Sequence, residues 1–571
     1  RDRLYYYHRL SSGGKRREFY IDAETASVMK EQISRRRELE KELRQLESGA
    51  AREERHYKMP PAPSPLSGLR TYVRAGAELE RFCAPVRDYR KRACYARLKD
   101  FIYDADTEKV LILYGLRRTG KTTLIRQILC DMAPADLARS AFMQMKSSDT
   151  LADVNADLRV LESAGFRYVF IDEVTLMRDF IGGAALFPDI FAASGMKIVL
   201  SGTDSLGFLF SEDEQLFDRC VMIHTTFIPY REFESVLGIR GIDEYIRYGG
   251  TMSLSGRSYG EDSVFATAER AGDYVDNAIA KNIQHSLQLY QAGEHFRGLR
   301  ELYEMGELAS AINRVVEDMN HRFTVETLTR TFRSNDLGIS ASNLRRDREA
   351  PTDVLDRIDA GAVTAEIKKA LDILDIGEQS VAVGPEHAEQ IREYLRLLDL
   401  VVEMEAVNFP GAGPADHFDV MTQPGLRYVQ ADALVSALER DGVFNSLPLP
   451  ERAAVLERIR SEIRGRMTEE IVLLETKLAR PKARVFRLRF AVGEFDMVVY
   501  DPSSLTCALY EIKHSDAAVP EQRRHLLDAE KCAAAEHLFG TITGKYVLYR
   551  GKDTDLDGVR YLNVEEYLRG L

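Results

Sequence analysis

Hydrophobic and polar positions alternate in two short runs at the start of the chain. Residues 4–10 and 15–21 are rich in tyrosine and other strand formers, and residues 11–14 between them read Ser-Ser-Gly-Gly. This pattern predicts a β-hairpin. Over residues 23–47 apolar residues recur among alternating charges, which predicts a solvated or coiled helix. The basic residues of the hairpin suit contact with nucleic acid, and a packing or dimerisation arm fits the pattern equally well.

A proline-rich stretch, Met59-Pro-Pro-Ala-Pro-Ser-Pro, follows this N-terminal segment (1–58). Such a sequence is stiff and extended, so we predict a linker over residues 59–75. From 76 to 240, short apolar runs alternate with helical patterns, which predicts an α/β domain with a mainly parallel sheet. The apolar runs that begin at Val110, Tyr168 and Lys197 have the composition of strands buried on both faces.

The pattern changes twice more along the chain. Residues 241–440 predict a mostly helical lid region, within which residues 388–405 fit the end of a winged-helix-like unit. Residues 441–571 predict a second α/β domain, with a long helix over 451–478 followed by strands. The expected fold class is therefore α/β at both ends with a helical middle region.

Composition narrows the function classes. A length of 571 residues predicts several domains. No run approaches the ~18–20 apolar residues that span a bilayer, and the first residues lack a secretory-signal pattern, so we expect a cytoplasmic protein without membrane contact. The six cysteines lack C-x-x-C spacing, which argues against a disulfide framework and a zinc site. With a net charge of -12, any contact with nucleic acid must use local basic patches.

The segment after the first buried run of the α/β domain fits the phosphate-binding pattern G-x4-G-K-[ST], between a predicted strand and a predicted helix. Its glycines let backbone N–H groups surround phosphates at the helix N-terminus. Lys121 would offset the charge of the β- and γ-phosphates, and the hydroxyl of Thr122 would hold magnesium. The predicted cofactors are ATP and Mg2+, and the predicted binding residues are Gly115, Leu116, Arg117, Arg118, Thr119, Gly120, Lys121, Thr122 and Thr123.

A second apolar run ends in two carboxylates, Asp172 and Glu173. Asp172 would complete the magnesium shell and Glu173 would polarise the attacking water. Taken alone, the two carboxylates are also explained as an acidic cap on a buried strand. Together with the phosphate-binding loop the pair predicts ATP hydrolysis. Thr203, in Ser-Gly-Thr-Asp-Ser after the next strand, is the predicted γ-phosphate contact. Arg219 fits an arginine finger and a surface ion pair equally well.

These segments, with Phe227-Ile-Pro-Tyr-Arg-Glu-Phe233 and Tyr248-Gly-Gly-Thr-Met252, resemble the prokaryotic AAA-type ATPases of the archaeal-ATPase group over residues 85–290. Members of that group usually have proline at the position of Met252. The resemblance implies a C-terminal restriction-endonuclease-like domain. It also implies a possible homo-oligomer in which Arg219 reaches the ATP of the next subunit.

The C-terminal region carries Asp496 on one predicted strand and Glu511-Ile-Lys513 on the next, the D-x14-E-x-K spacing of PD-(D/E)XK nucleases. Asp496 and Glu511 would hold magnesium, Lys513 would orient or deprotonate water, and Glu469 on the preceding helix would be a supporting acid. The tripeptide by itself is weak evidence, because Glu366-Ile-Lys and Glu475-Thr-Lys also occur. An ion network on a fold that only binds DNA or proteins fits the same residues.

Three functions follow from these patterns. The first is an ATPase whose nucleotide state controls a module that binds or cuts nucleic acid, with DNA preferred over RNA. The second is an ATP-driven switch whose nuclease-like domain is an inactive binding module. The third is an ATP-dependent DNA-binding regulator that uses the winged-helix-like unit and the basic hairpin without cleavage.

Overall fold

A computed structural model describes residues 6–12, 15–21, 68–104, 108–177, 179–203, 216, 218–252, 264–289, 296–334, 383–411, 415–438 and 448–571. The chain divides into two compact units, Arg1–Ser64 and Pro65–Leu571. In the first unit, strands β1 (Tyr6–Ser12) and β2 (Lys15–Ile21) pair in antiparallel register, which confirms the hairpin. The helix predicted over 23–47 lies outside the described residues.

The second unit begins with a six-stranded sheet of spatial order β3-β5-β6-β7-β4-β8. Its strands are β3 (Tyr72–Ala75), β4 (Val110–Tyr114), β5 (Ser140–Gln144), β6 (Tyr168–Asp172), β7 (Lys197–Gly202) and β8 (Cys220–His224). Only the β3–β5 pair is antiparallel, so the mainly parallel sheet predicted for this region is confirmed.

Helices cover both faces of this sheet. They are α1 (Gly76–Cys83), α2 (Tyr95–Tyr103), α3 (Lys121–Asp131), α4 (Pro134–Leu137), α5 (Leu151–Ser163) and α6 (Phe180–Gly183). Two further helices follow β8, α7 (Tyr230–Leu237) and α8 (Ile242–Tyr248), and their buried residues belong to the core of the C-terminal part of the chain. Successive side chains of a strand point to opposite faces, so Val110 and Ile112 enter one hydrophobic core while Leu111 and Leu113 enter another. This double burial explains why β4 contains no charged residue.

A helical region follows, packed around its own hydrophobic core. It contains α9 (Ala268–Tyr274), α10 (Lys281–Leu289), α11 (Arg297–Glu304), α12 (Leu308–Ser334) and α13 (Pro385–Leu397). Leu116, from the loop after β4, is buried in the same core. The helical region is therefore anchored directly on that loop.

An eight-stranded sheet forms the last part of the chain, in the order β10-β9-β11-β12-β13-β14-β16-β15. Its strands are β9 (Val401–Phe409), β10 (Asp416–Met421), β11 (Arg484–Phe490), β12 (Glu494–Asp501), β13 (Thr506–Ile512), β14 (Thr541–Tyr549), β15 (Thr554–Leu556) and β16 (Val559–Asn563). The helices that accompany it are α14 (Pro424–Leu438), α15 (Leu449–Ala479), α16 (Ala529–Phe539) and α17 (Val564–Arg569).

Two predicted boundaries differ from the structure. Residues 72–75 were expected in the linker 59–75, but they form β3, because backbone pairing with β5 extends the first sheet by one strand. Residues 401–421 were expected in the helical region, but β9 pairs in parallel with β11, so the hairpin after α13 belongs to the second sheet. No described helix is both long and apolar enough to cross a membrane.

Candidate functional site

The loop between β4 and α3 has the backbone of a phosphate-binding loop. Gly115 has a φ of 140°, and a Cβ atom there would lie 2.4 Å from the carbonyl oxygen of Thr225. Gly120, with a φ of 92°, directly precedes α3. Only glycine adopts these conformations without strain, so the glycine spacing recognised in the sequence is required by the geometry.

Lys121 is held inside this loop. Its Nζ atom donates to the carbonyl oxygens of Gly115 at 2.7 Å and Leu116 at 2.8 Å. Burial lowers the pKa of Lys121 to about 8, and the nearby Glu173 and Asp172 oppose that shift. The ammonium group is thus placed where a P-loop lysine meets phosphate oxygens.

The acidic pair and the predicted γ-phosphate contact meet the loop at the carboxyl edge of the sheet. The hydroxyl of Thr122 donates to Oδ2 of Asp172 at 2.7 Å, and the hydroxyl of Thr203 donates to Oε2 of Glu173 at 3.3 Å. Burial and then Asp172 raise the pKa of Glu173. The structure therefore brings together Lys121, Thr122, Asp172, Glu173 and Thr203.

The other predicted nucleotide-binding side chains have different surroundings. Arg117 and Arg118 are exposed, and Thr123 is half-buried on α3. Thr119 is buried, and its hydroxyl donates to the Leu116 carbonyl at 2.8 Å, so its side chain braces the loop. Leu116 has only its backbone available to a phosphate, because its side chain belongs to the core of the helical region.

Arg92 is a structural support that sequence reasoning missed. It is 5% exposed, and its guanidinium donates to Oε2 of Glu232 at 2.5 Å, to the Thr119 carbonyl at 2.7 Å and to the Phe227 carbonyl at 3.1 Å. It joins the phosphate-binding loop to the start of α7. In the sequence Arg92 stands in a charged run, Arg90-Lys-Arg92, which has the composition of a solvated surface. The available signal was its partner: Glu232 is an acid between the aromatic residues Tyr230 and Phe233, where a buried acid requires a cation.

Two later segments of the chain contact the phosphate site through polar groups. The backbone N–H of Met252 donates to the carbonyl of Arg118 at 2.8 Å. Asn282 on α10 donates its side-chain amide to the carbonyl of Thr203 at 2.8 Å. A change in either segment therefore alters the immediate surroundings of the phosphate site.

Arg219 does not join this site within one chain. The backbone N–H of Val110, at the amino end of β4, donates to its carbonyl at 3.1 Å, which places Arg219 at the sheet edge opposite the loop. Its side chain is 50% exposed and lies 2.9 Å from Oδ2 of Asp189. The surface ion pair is thus present, and an arginine finger acting on a neighbouring subunit remains a prediction.

The predicted C-terminal site is assembled around Lys513. Its Nζ atom lies 2.7 Å from Oδ2 of Asp496 and 2.8 Å from Oε2 of Glu511. Burial, reinforced by Asp496, raises the pKa of Glu511 well above its ordinary value. Burial alone would lower the pKa of Lys513, but Asp496 and Glu511 raise it. The three residues of the D-x14-E-x-K pattern form one cluster, in which Asp496 and Glu511 are buried and Lys513 is half-buried.

Glu469 lies beside this cluster together with Glu494, which sequence reasoning passed over. One carboxylate oxygen each from Glu469, Glu494 and Asp496 lies within 4.8 Å of the others, close enough to share a cation. Glu494 precedes Asp496 by two residues, so alternation along β12 places both side chains on one face of the strand. This alternation was the signal available in the sequence.

Two arginines approach the same acids. Arg466 lies 2.6 Å and Arg487 lies 3.4 Å from Oε2 of Glu469. Arg487 is fully buried, and burial lowers its pKa. With Lys513, these side chains offset most of the negative charge of the acidic cluster.

Gln522 and Arg523, which follow the loop after β13, have partners within the C-terminal domain. The amide of Gln522 donates to Oγ of Ser515 at 2.8 Å, and Arg523 lies 2.6 Å from Oδ2 of Asp557. Both residues therefore secure the loop after β13 and the final hairpin.

Direct contacts link the first domain to this C-terminal site. Glu475, on the same helix as Glu469, accepts a hydrogen bond from the backbone N–H of Tyr230 at 2.7 Å. His514, next to Lys513, lies 2.8 Å from Oδ1 of Asp243 at the start of α8. Contacts through α7 and α8 thus join the part of the chain that carries the nucleotide site to the part that carries the C-terminal site.

Residues 107–234 match a family model described as AAA domain. Comparison with curated proteins gives no match. Among solved structures, PCH-2 of C. elegans has 13% identity and a TM-score of 0.20, over 39% of this chain and 64% of that chain. The ORC1 protein of Aeropyrum pernix, solved in complex with DNA, has 13% identity and a TM-score of 0.23, over 66% of this chain and 99% of that chain. The family match shows an AAA-type domain in this part of the chain.

Proposed function

We propose that this protein binds and hydrolyses ATP through its AAA-type domain, and that the nucleotide state controls a C-terminal metal-dependent site that acts on nucleic acid. The observation that carries the proposal is the convergence of Lys121, Thr122, Asp172, Glu173 and Thr203 at one edge of the first sheet. These side chains come from three separate segments of the sequence.

The residues present fit Mg2+ and ATP. Thr122 and Asp172 offer two oxygen atoms 2.7 Å apart, which is a hard-cation donor set. Bound magnesium would offset the charge of the β- and γ-phosphates. Lys121 orients those phosphates, while Glu173 holds and deprotonates water, a role that its raised pKa favours. Thr203 fixes the carboxylate of Glu173.

The C-terminal cluster suits hydrolysis of a phosphodiester. Glu469, Glu494 and Asp496 offer oxygen ligands for magnesium or manganese, and Glu511 lies against the same lysine as Asp496. A bound metal would activate water and stabilise the charge that develops on the phosphate. Lys513 would orient that water, and the two arginines would maintain charge balance before a cation enters.

A plasmid-nicking assay with Mg2+ or Mn2+, with and without ATP, tests the whole proposal. We expect the wild-type protein to nick DNA, Asp496→Asn to abolish nicking while ATP turnover continues, and Lys121→Ala to abolish ATP turnover and the effect of ATP on nicking. Persistence of both activities in the matching variants would refute the site assignment.

A second function is favoured by a specific observation. Lys513, Arg466 and Arg487 already compensate the acidic cluster, as in an ion network that needs no metal. In that case the protein is an ATP-driven switch whose C-terminal domain only binds its partner. ATP hydrolysis without nicking under every metal condition would favour this alternative.

A further inference from the structure

An arginine-lined pocket lies where the AAA-type domain meets the last helix of the chain. It has a volume of about 590 Å³, and its charged lining consists of Arg90, Arg231, Arg240, Arg569 and Glu234. Four arginines and one glutamate give the lining a charge of +3, or +2 when Glu565, which pairs with Arg569 at 3.1 Å, is counted, whereas the net charge of the chain is -12. Such a concentration of one sign is the electrostatic feature that attracts polyanions.

The single acid in the pocket is already compensated. Glu234 accepts hydrogen bonds from Arg569, from the Tyr230 hydroxyl and from the backbone N–H of Gly241, and these bonds lower its pKa despite burial. Arg231 and Arg240 are exposed. Nη1 of Arg90 donates to the Ser235 carbonyl at 2.9 Å, which fixes the position of this exposed side chain. The pocket therefore retains positive charge after its internal pairing.

We propose that this pocket binds the phosphodiester backbone of a nucleic-acid strand and guides it toward the C-terminal site. Guanidinium groups present planar, paired donors that match phosphate oxygens, so arginines suit a backbone contact. The proposal rests on the proposed function, because it names the surface through which nucleic acid would be held.

The position of the pocket supports this route. Arg240 stands three residues before Asp243, a separation of at most ~11 Å along the chain. Asp243 lies 2.8 Å from His514, the residue after Lys513. Helix α17, which carries Arg569, begins at the carboxyl end of β16, the same end of the parallel strands at which Lys513 lies. A strand of about ten nucleotides, rising ~3.4 Å each, is long enough to occupy both places.

Binding of labelled single-stranded and duplex DNA, measured by fluorescence anisotropy in EDTA without ATP, tests the pocket separately from catalysis. We expect Arg231→Glu/Arg240→Glu to weaken binding by roughly tenfold or more. For the milder Arg231→Gln/Arg240→Gln, the slope of log K against log salt should fall by ~1.4 for a single strand and ~1.8 for a duplex, because two phosphate contacts are lost. Arg231→Lys/Arg240→Lys should retain most of the salt dependence.

The matched control is Arg81→Glu/Arg159→Glu, which changes two exposed arginines on α1 and α5 by the same charge. It should keep near-wild-type binding, and equal losses in the control and pocket variants would overturn the proposal by showing a net-charge effect. If the wild-type protein binds DNA and the pocket variants bind equally well, the pocket proposal alone fails. If the wild-type protein binds neither form of DNA, the proposed action on nucleic acid fails with it.

Discussion

Glu475 offers a pH-dependent test of how the two domains are joined. Its buried carboxylate accepts the hydrogen bond from Tyr230 N–H at 2.7 Å, and burial raises its pKa from the ordinary 4.5 to about 7. The folded protein thus keeps a proton that the unfolded chain releases between these values. The stabilising contribution is fully present below pH 4.5, falls as the pH rises and is lost above pH 7, a change of about 3 kcal/mol. Glu475→Gln keeps the acceptor oxygen and cannot ionise.

We therefore expect Glu475→Gln to match the wild-type stability near pH 4.5 and to exceed it by up to about 3 kcal/mol at pH 8. Urea unfolding at pH 5, 6, 7 and 8 measures the difference. Glu470→Gln on the same helix is the control, since it weakens a buried ion pair with Arg427 and should destabilise the protein throughout this range. A stability difference for Glu475→Gln that stays constant from pH 5 to 8 would refute the reasoning.

Three further changes test the sites and their connection. Arg92→Met leaves the buried Glu232 without its partner and should lower the free energy of unfolding by about 3–5 kcal/mol. The double variant Arg92→Met/Glu232→Leu should recover part of that loss, and a double variant no more stable than the single one would contradict this account. Glu173→Gln should reduce ATP turnover by about 10²–10⁴-fold while ATP affinity, measured by calorimetry, is retained; turnover near the wild-type rate would remove Glu173 as the base. In the wild-type protein we expect ATP to change hydrogen exchange over residues 511–516; Asp243→Asn weakens the contact with His514 and should remove that change, and a response equal to wild type would exclude a route through α8.

The nucleotide site was accessible to sequence reasoning because its chemistry is local. One strand–loop–helix segment carries the glycine spacing, Lys121 and Thr122. Asp172 is the last residue of β6, and Glu173 follows it directly. Carboxyl ends of parallel strands meet at one edge, so the hydrogen bond between Thr122 and Asp172 follows from the sheet order. Asp496, Glu511 and Lys513 were likewise found because they stand on neighbouring strands joined by a short turn.

The remaining features depend on contacts between distant segments. Arg92 and Glu232 are 140 residues apart, and nothing in the run Arg90-Lys-Arg92 shows that one member is buried. Strand β9 pairs with β11, about 80 residues later in the chain. The sequence near β9 does not reveal that partner, so its alternating acidic and apolar residues were assigned to the helical region. Periodicity identifies the type of a segment, but it does not name the partner that buries it.

The two connections between the domains differ in what they can transmit. Glu232 and Tyr230 both lie at the start of α7, so Arg92 and Glu475 contact that helix at one end and fix it in place.

Helix α8 instead carries Asp243 in its first turn and is followed by Met252, whose backbone N–H donates to the carbonyl of Arg118 in the phosphate-binding loop. If that loop is displaced on nucleotide binding, we expect one end of α8 to follow and Asp243, at the other end, to shift against His514. Contiguous contact alone does not establish coupling, which requires that both sites favour the same one of two arrangements. Loss of the α7 contacts should therefore cost mainly stability, whereas loss of the α8 contacts should cost mainly communication between the sites.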